Sequence, residues 1–184
     1  VLLGGCDVRD VTQRDLRARI SYVPQKAWLF SGTVASNLRD GLPNAGEDQM
    51  RHALDVAQSQ FVYDLAGGLD AVVAQGGTNF SGGQRQRLAI ARAIIKPADL
   101  YIFDDSFSAL DFMTEANLRR ALAEKAAGRT QIVVTQRVTS AMSSDQIFVM
   151  DGGRLVDSGT HRELLERCKV YREIYLSQTG GERR

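Results

Sequence analysis

The residues of this chain best suited to chemistry form one run, Ser81-Gly82-Gly83-Gln84-Arg85-Gln86-Arg87-Leu88-Ala89-Ile90-Ala91-Arg92-Ala93. Two adjacent glycines leave backbone N–H groups unshielded by side chains. Good helix formers follow at once, so those N–H groups stand at the positive end of a helix dipole. Ser81 adds a hydroxyl, and Arg85 and Arg87 add positive charge. The combination suits a phosphate. A bare Ser-Gly-Gly reads better as a flexible glycine loop capping an amphipathic helix, but the thirteen ordered positions favour the clamp. A second constellation is Asp104-Asp105, which closes the apolar run Leu100-Tyr101-Ile102-Phe103. Open α/β sheets bind ligands at the carboxyl ends of their strands. There, one carboxylate can hold Mg²⁺ through water and the next can orient an attacking water.

The elements that must position these groups alternate between strand-like and helix-like, which predicts an α/β layer fold. Residues 19–23 read as a short strand ended by Pro24, and 33–38 as a short helix. Residues 47–58 form a clearer helix with Met50, Ala53, Leu54 and Ala57 on one face. The helix after Ser81 carries Leu88, Ala91 and Ile95 as a buried stripe and stops at Pro97. Leu100 to Phe103 has the pattern of a strand buried on both faces. Further segments are a helix over 114–127 ended by Gly128, a strand over 131–135, and a hairpin of 146–150 with 154–157. Thr160 and Glu163 supply a capping box for a final helix.

Bulk composition narrows the function. A chain of 184 residues builds one domain or a large piece of one. Its net charge of +1, with 19 Arg and 4 Lys scattered along helices, argues against a nucleic-acid partner. Cys6 and Cys168 have neither disulfide nor metal spacing, so a reducing cytoplasm is expected. His52 and His161 lack the partners of a zinc site. No apolar run is long enough to cross a bilayer, and no signal peptide is recognisable.

The thirteen-residue run resembles the signature motif of ATP-binding cassette (ABC) ATPases, with Phe80 where that family usually has leucine. The resemblance extends over nearly the whole chain. Asp104-Asp105 is similar to the Walker B motif, whose second acid is usually Glu. Asp105 is one methylene shorter, which sets its carboxylate back, and a misplacement of about 1 Å can cost on the order of 100-fold in rate. Ser108-Ala109-Leu110-Asp111 resembles the D-loop, with Asp111 also suited to cap a helix. Gln25, after Val23-Pro24, matches the Q-loop glutamine, an amide that reaches metal and attacking water. Gln136 stands where the family has its switch histidine. It can donate a hydrogen bond to a γ-phosphate but cannot carry imidazolium charge or relay a proton. No Gly-x-x-x-x-Gly-Lys occurs, because none of Lys26, Lys96, Lys125 and Lys169 follows a glycine. Residues 1–10 instead resemble the stretch that comes just after the Walker A helix.

The resemblance implies a P-loop NTPase (RecA-like) core with an inserted α-helical subdomain, lacking the N-terminal strands and the Walker A loop. The expected division is a helical subdomain over 33–96, an α/β core over 1–32 and 97–178, and a tail over 179–184. Features around 72–77 and 28–33 resemble exporters. The resemblance further implies ATP and Mg²⁺ as cofactors. Ser81, Gly82, Gly83, Gln84, Asp111 and Gln25 are expected at the nucleotide, Asp104 and Gln25 at the metal, and Asp105 and Gln136 at the chemistry. Departures at both Asp105 and Gln136 point to one cause, a site that binds nucleotide but turns over slowly. A second, unlike cassette and a transmembrane domain are the implied partners, on the cytoplasmic face of a bacterial cell membrane. Alternatives are a non-functional cassette fragment and a DNA-repair or translation ATPase of the same family.

Overall fold

A sheet that presents acids at its carboxyl edge needs parallel strands of β-branched and aromatic residues, and the chain supplies three. The computed structural model describes residues 1–180, so the expected tail lies outside the described residues from position 181. The chain divides into two units, 1–134 and 135–184. In order, the first contains β1 (Leu2–Leu3), β2 (Cys6–Asp7), α1 (Gln13–Arg19), β3 (Ile20–Val23), β4 (Gly32–Thr33), α2 (Val34–Gly41) and α3 (Glu47–Val56). There follow β5 (Val72–Val73), α4 (Gly82–Ile94), β6 (Leu100–Asp104), α5 (Phe112–Lys125) and β7 (Thr130–Val134), with short 3-10 turns between α3 and α4. The second unit contains α6 (Val138–Ala141), β8 (Ile147–Asp151), β9 (Arg154–Gly159), α7 (His161–Arg167) and α8 (Lys169–Thr179).

Strands β3, β6 and β7 form a parallel sheet in that order, with Tyr22 opposite Ile102 and Ile102 opposite Ile132. Its two faces differ. Ser21, Val23, Tyr101 and Phe103 are buried, and the three apolar residues among them belong to the main core, with Leu118 and Leu122 of α5 and the inner faces of α2, α3 and α4. The opposite face carries Tyr22, Ile102, Asp104, Ile132 and Val134, and Ile132 and Val134 are 46% and 50% exposed. The expectation that β6 is buried on both faces is therefore corrected. An uninterrupted apolar run permits double burial, but only one face of this strand is fully covered.

Helix α4 owes its position to close approach. A Cβ on Gly41, at the end of α2, would lie 2.1 Å from the carbonyl oxygen of Arg92, so the two helices meet backbone to backbone there. On its other sides, α4 buries Leu88, Ala89, Ile90, Ala91, Ala93 and Ile94, a wider apolar surface than a single stripe. In α3, the residues expected to share a face, Met50, Ala53, Leu54 and Ala57, are all buried. Helix α1 buries no residue, which is why apolar periodicity does not reveal it. In the second unit, β8 and β9 form the expected hairpin, with an irregularity between Val149 and Met150. Thr160 and Glu163 form the expected capping box. The final helix is two helices, because Cys168 is extended and its Sγ accepts the Tyr171 N–H, starting α8 afresh.

The amino ends of the three parallel strands are tied by Asp99. Its Oδ2 accepts from Arg19 Nε and its Oδ1 from Arg129 Nη1, both at 2.6 Å. Its backbone N–H donates to the Arg19 carbonyl, and its carbonyl accepts from the Thr130 N–H. The hydrogen bond from Arg19, with the charges of both arginines, holds the Asp99 carboxyl below its ordinary range. A folded-state value below the unfolded one adds stability above the ordinary 3.8, and this is lost as pH falls through the folded value. Asp99→Asn is accordingly expected to lower the thermal midpoint at pH 7. The gap to the unaltered chain should close as melts are repeated at pH values below 3.8. A gap that persisted in acid would show that the carboxylate charge is not the source.

Candidate nucleotide site

Helix α4 begins where the sequence places it. Ser81 is extended (φ −64°, ψ 162°) and caps the helix, its Oγ accepting the Gln84 N–H at 3.2 Å. Gln84 Oε1 accepts the Ser81 N–H at 2.9 Å in return, completing a capping box. The hydroxyl of Ser81 is used as an acceptor, so its proton remains available to an outside oxygen. The N–H groups of Gly82 and Gly83 have no carbonyl to bond within the helix, as at any helix start. A Cβ on Gly82 would meet nothing within 4 Å. One on Gly83 would come within 3.3 Å of the Ala109 carbonyl oxygen, which packs this helix start on the loop 108–111. The turn is therefore open on one side and supported on the other.

The two arginines expected to add charge at that turn are engaged inside the unit. Arg85 Nη1 donates to the Phe80 carbonyl at 2.8 Å, folding back on the loop that precedes the helix. The Arg87 guanidinium lies 5.2 Å from the centroid of the Phe61 ring, and burial pushes its pKa down, with the Asp111 carboxylate partly offsetting this. Direct donors to an anion at the turn are therefore the backbone N–H groups and the Ser81 hydroxyl, while Arg85 and Arg87 contribute charge from behind it. Asp111 caps α5 through Thr114 N–H at 3.0 Å, which starts that helix at Phe112 rather than at Thr114. That hydrogen bond holds the Asp111 carboxyl below its ordinary range.

At the other end of the sheet the structure brings together Gln25, Asp104 and Asp105. Gln25 Nε2 donates to Asp105 Oδ2 at 3.4 Å, a long contact, between side chains 80 residues apart in sequence. Asp105 sits at φ 43°, in the left-handed region that aspartate enters more readily than most side chains. Its N–H donates to the Val134 carbonyl at 2.9 Å, and its carbonyl accepts from Ser108 Oγ at 2.8 Å. Sequence reasoning missed two participants. Tyr22 donates its hydroxyl to Asp104 Oδ2 at 2.9 Å, which pushes the phenol above its ordinary pKa. Ser106, 1% exposed, points its hydroxyl at the Val23 carbonyl at 3.0 Å and at the Asp104 carbonyl at 3.2 Å. Both depend on strand register, which no local motif announces. Gln136 belongs to the second unit, where its carbonyl accepts from Gln178 Nε2 at 2.7 Å and its side chain is exposed.

The donor set suits magnesium. Two carboxylates and an amide give hard oxygen ligands, and no group of three or more His, Cys, Asp or Glu able to hold a metal occurs among the described residues. Mg²⁺ commonly keeps its waters and is shared between one or two carboxylates and substrate phosphates. Asp104 has one oxygen engaged by Tyr22, and its Oδ1 has no protein donor among the described contacts.

A capped, open helix start suits an anion, and two acids at the end of a parallel strand suit a divalent cation. Residues 1–108 match the family model described as ABC transporter, and the chain belongs to that family as an ABC transporter ATP-binding domain. It is 49% identical over 183 residues to an uncharacterised ABC transporter ATP-binding protein of Mycobacterium tuberculosis, covering 97% of this chain and 31% of the relative. It is 41% identical over 182 residues to an ATP-dependent lipid A-core flippase of Methylococcus capsulatus, covering 98% of this chain and 30% of the flippase. Among solved structures it is similar to a bacterial Atm1-family ABC exporter with ATP bound, at a TM-score of 0.92 and 36% identity, covering 96% of this chain and 31% of the exporter. The chain thus spans about a third of the length of these relatives. No helix among the described residues is long and apolar enough to cross a membrane.

Replacing Ser81 by Ala removes the cap while leaving Gly82 and Gly83 in place. The expected loss is about 0.5–2 kcal/mol in denaturant unfolding of the chain. An unchanged midpoint would show that the capping box contributes nothing to holding the turn.

Proposed function

We propose that this chain is the C-terminal part of the nucleotide-binding domain of a bacterial ABC exporter, coupling ATP binding and hydrolysis to transport. In this reading 33–96 is the helical subdomain, 1–32 and 97–178 belong to the α/β core, and 179–184 is a tail. The observation that carries the reading is the capped start of α4, with its free backbone N–H groups and a serine proton left unspent. Those groups would grip the γ-phosphate of an ATP held mainly by a second cassette packed head to tail, with Ser81, Gly82, Gly83 and Gln84 in contact. Asp111, which caps the helix following the supporting loop, would hold that loop against the partner. Within these 184 residues no Gly-x-x-x-x-Gly-Lys occurs, so the cradle for the chain's own nucleotide would come from sequence outside them.

At the chain's own site, Asp104 and Gln25 would hold Mg²⁺ in the company of the nucleotide phosphates. Once bound there, Mg²⁺ would supply charge neutralisation of the nucleotide phosphates. Asp105 would orient the attacking water, and Gln136 would donate to the γ-phosphate. The short Asp105 carboxylate and a side chain unable to take a proton at position 136 weaken this site. We therefore expect an unlike partner with Glu and His at the matching positions. Trp28 and Phe30, just ahead of the helical subdomain, and Val72 within it are exposed, and a cleft of about 350 Å³ runs between β3 and α4 beside Phe30. This surface supports docking of a transmembrane domain, on the cytoplasmic side of a bacterial membrane.

The test is made in the full-length pair. Ser81→Ala is expected to lower ATPase activity by at least 100-fold, on the scale of removing one preorganised phosphate or oxyanion donor. Asp105→Asn is expected to leave most of it. Equal damage from both would overturn the weakened-site reading, and full activity of Ser81→Ala would overturn the phosphate clamp.

A further inference from the structure

Resting on that reading of the acidic strand end, we infer that Tyr22 is a positioning residue that sets the orientation of the metal-holding carboxylate of Asp104. Strand register carries the inference. Tyr22 pairs with Ile102, and Asp104 lies two residues further along β6 on the same face. A tyrosine at that place spans the offset diagonally, and its hydroxyl reaches Asp104 Oδ2 at 2.9 Å.

The backbone beneath this bond is held at a second point. Ser106, buried immediately after the acidic pair, directs its hydroxyl at the carbonyl of Val23, the residue that follows Tyr22. Gln25 reaches Asp105 in the same stretch. Residues 22, 23 and 25 thus meet 104, 106 and 105, and the two strand ends are fixed relative to each other. Tyr22 is 53% exposed, so burial does not account for its presence.

An aspartate at a strand end otherwise turns freely about two side-chain torsions. A hydrogen bond to Oδ2 stops that rotation and leaves Oδ1 as the ligand for the metal or its bound water. Partners of this kind, which hold a ligand rather than the ion, strongly affect metal affinity. Tyr22 would act before any chemistry, by reducing what Asp104 must lose in freedom when Mg²⁺ arrives with the nucleotide.

The experiment compares Tyr22→Phe, which keeps the ring and removes only the proton donor, with the unaltered full-length polypeptide purified without a partner cassette. Mn²⁺ is the probe, followed by electron paramagnetic resonance in the presence of a non-hydrolysable ATP analogue. The Mn²⁺ midpoint is expected to rise on the order of tenfold. Analogue affinity measured in EDTA should stay unchanged, because that binding does not involve Asp104. A midpoint within twofold of the unaltered protein overturns the inference, as does an equal loss of affinity in EDTA, which would mark a general structural role. If the unaltered polypeptide shows no metal-dependent nucleotide binding, the nucleotide-site reading itself falls and this inference falls with it.

Discussion

Every α-helix starts with backbone N–H groups that the helix cannot satisfy, and α4 leaves two of its own facing outward without a side chain to cover them. Ser81 meets the Gln84 N–H, and Gln84 meets the N–H of Ser81, so the pair consumes its own donors and no others. The remaining donors stay in place because the helix behind them is packed tightly. Gly41 lets α2 touch the α4 backbone, Leu88 to Ile94 fill the core, and Gly83 rests against the Ala109 carbonyl. Substituents that would shield the N–H groups are absent from the outer side. An anion is the ligand that such a surface lacks.

The acidic strand end is built on a different principle. It is held by side-chain bonds between β3 and β6 and their extensions, and Asp105 is turned into a left-handed conformation that points its backbone N–H at Val134. Positive φ at a non-glycine residue is a local cost that the surrounding turn must overcome. Aspartate bears that cost better than glutamate, so the shorter acid and this backbone are mutually compatible. In the function proposed, the same fit sets the carboxylate back from a water it would need to orient. In that proposal the helix start would serve another subunit's nucleotide and the acids the chain's own, so one could stay intact as the other weakens.

Much of this was legible in the sequence. The helix after Ser81, the caps at Asp111 and Thr160, and the hairpin after Asp145 depend on neighbours a few residues away, and they were found within a residue or two of their places. Helix α1 was not legible, since it buries nothing and so carries no apolar period. The break at Cys168 was hidden because no Gly or Pro marks it and the cap is a sulfur. The uncovered face of β6 was missed because an apolar run says what a strand tolerates, not what lies upon it. Tyr22 and Ser106 were missed for a deeper reason. Their partners lie about 80 residues away, and only the register of two parallel strands brings them within bonding distance. Arg85 and Arg87 were read as charge near the turn, and their contacts with the Phe80 carbonyl and the Phe61 ring could not be seen from the sequence.

The account stands or falls on where the α4 turn lies when the assembled transporter holds ATP. A structure of the full-length pair with trapped ATP measures this directly. It should place Ser81 Oγ and the Gly83 N–H at about 3 Å from the γ-phosphate of a nucleotide whose other contacts come from the partner subunit. Finding that turn in solvent, with no triphosphate near it, would contradict the account at its root.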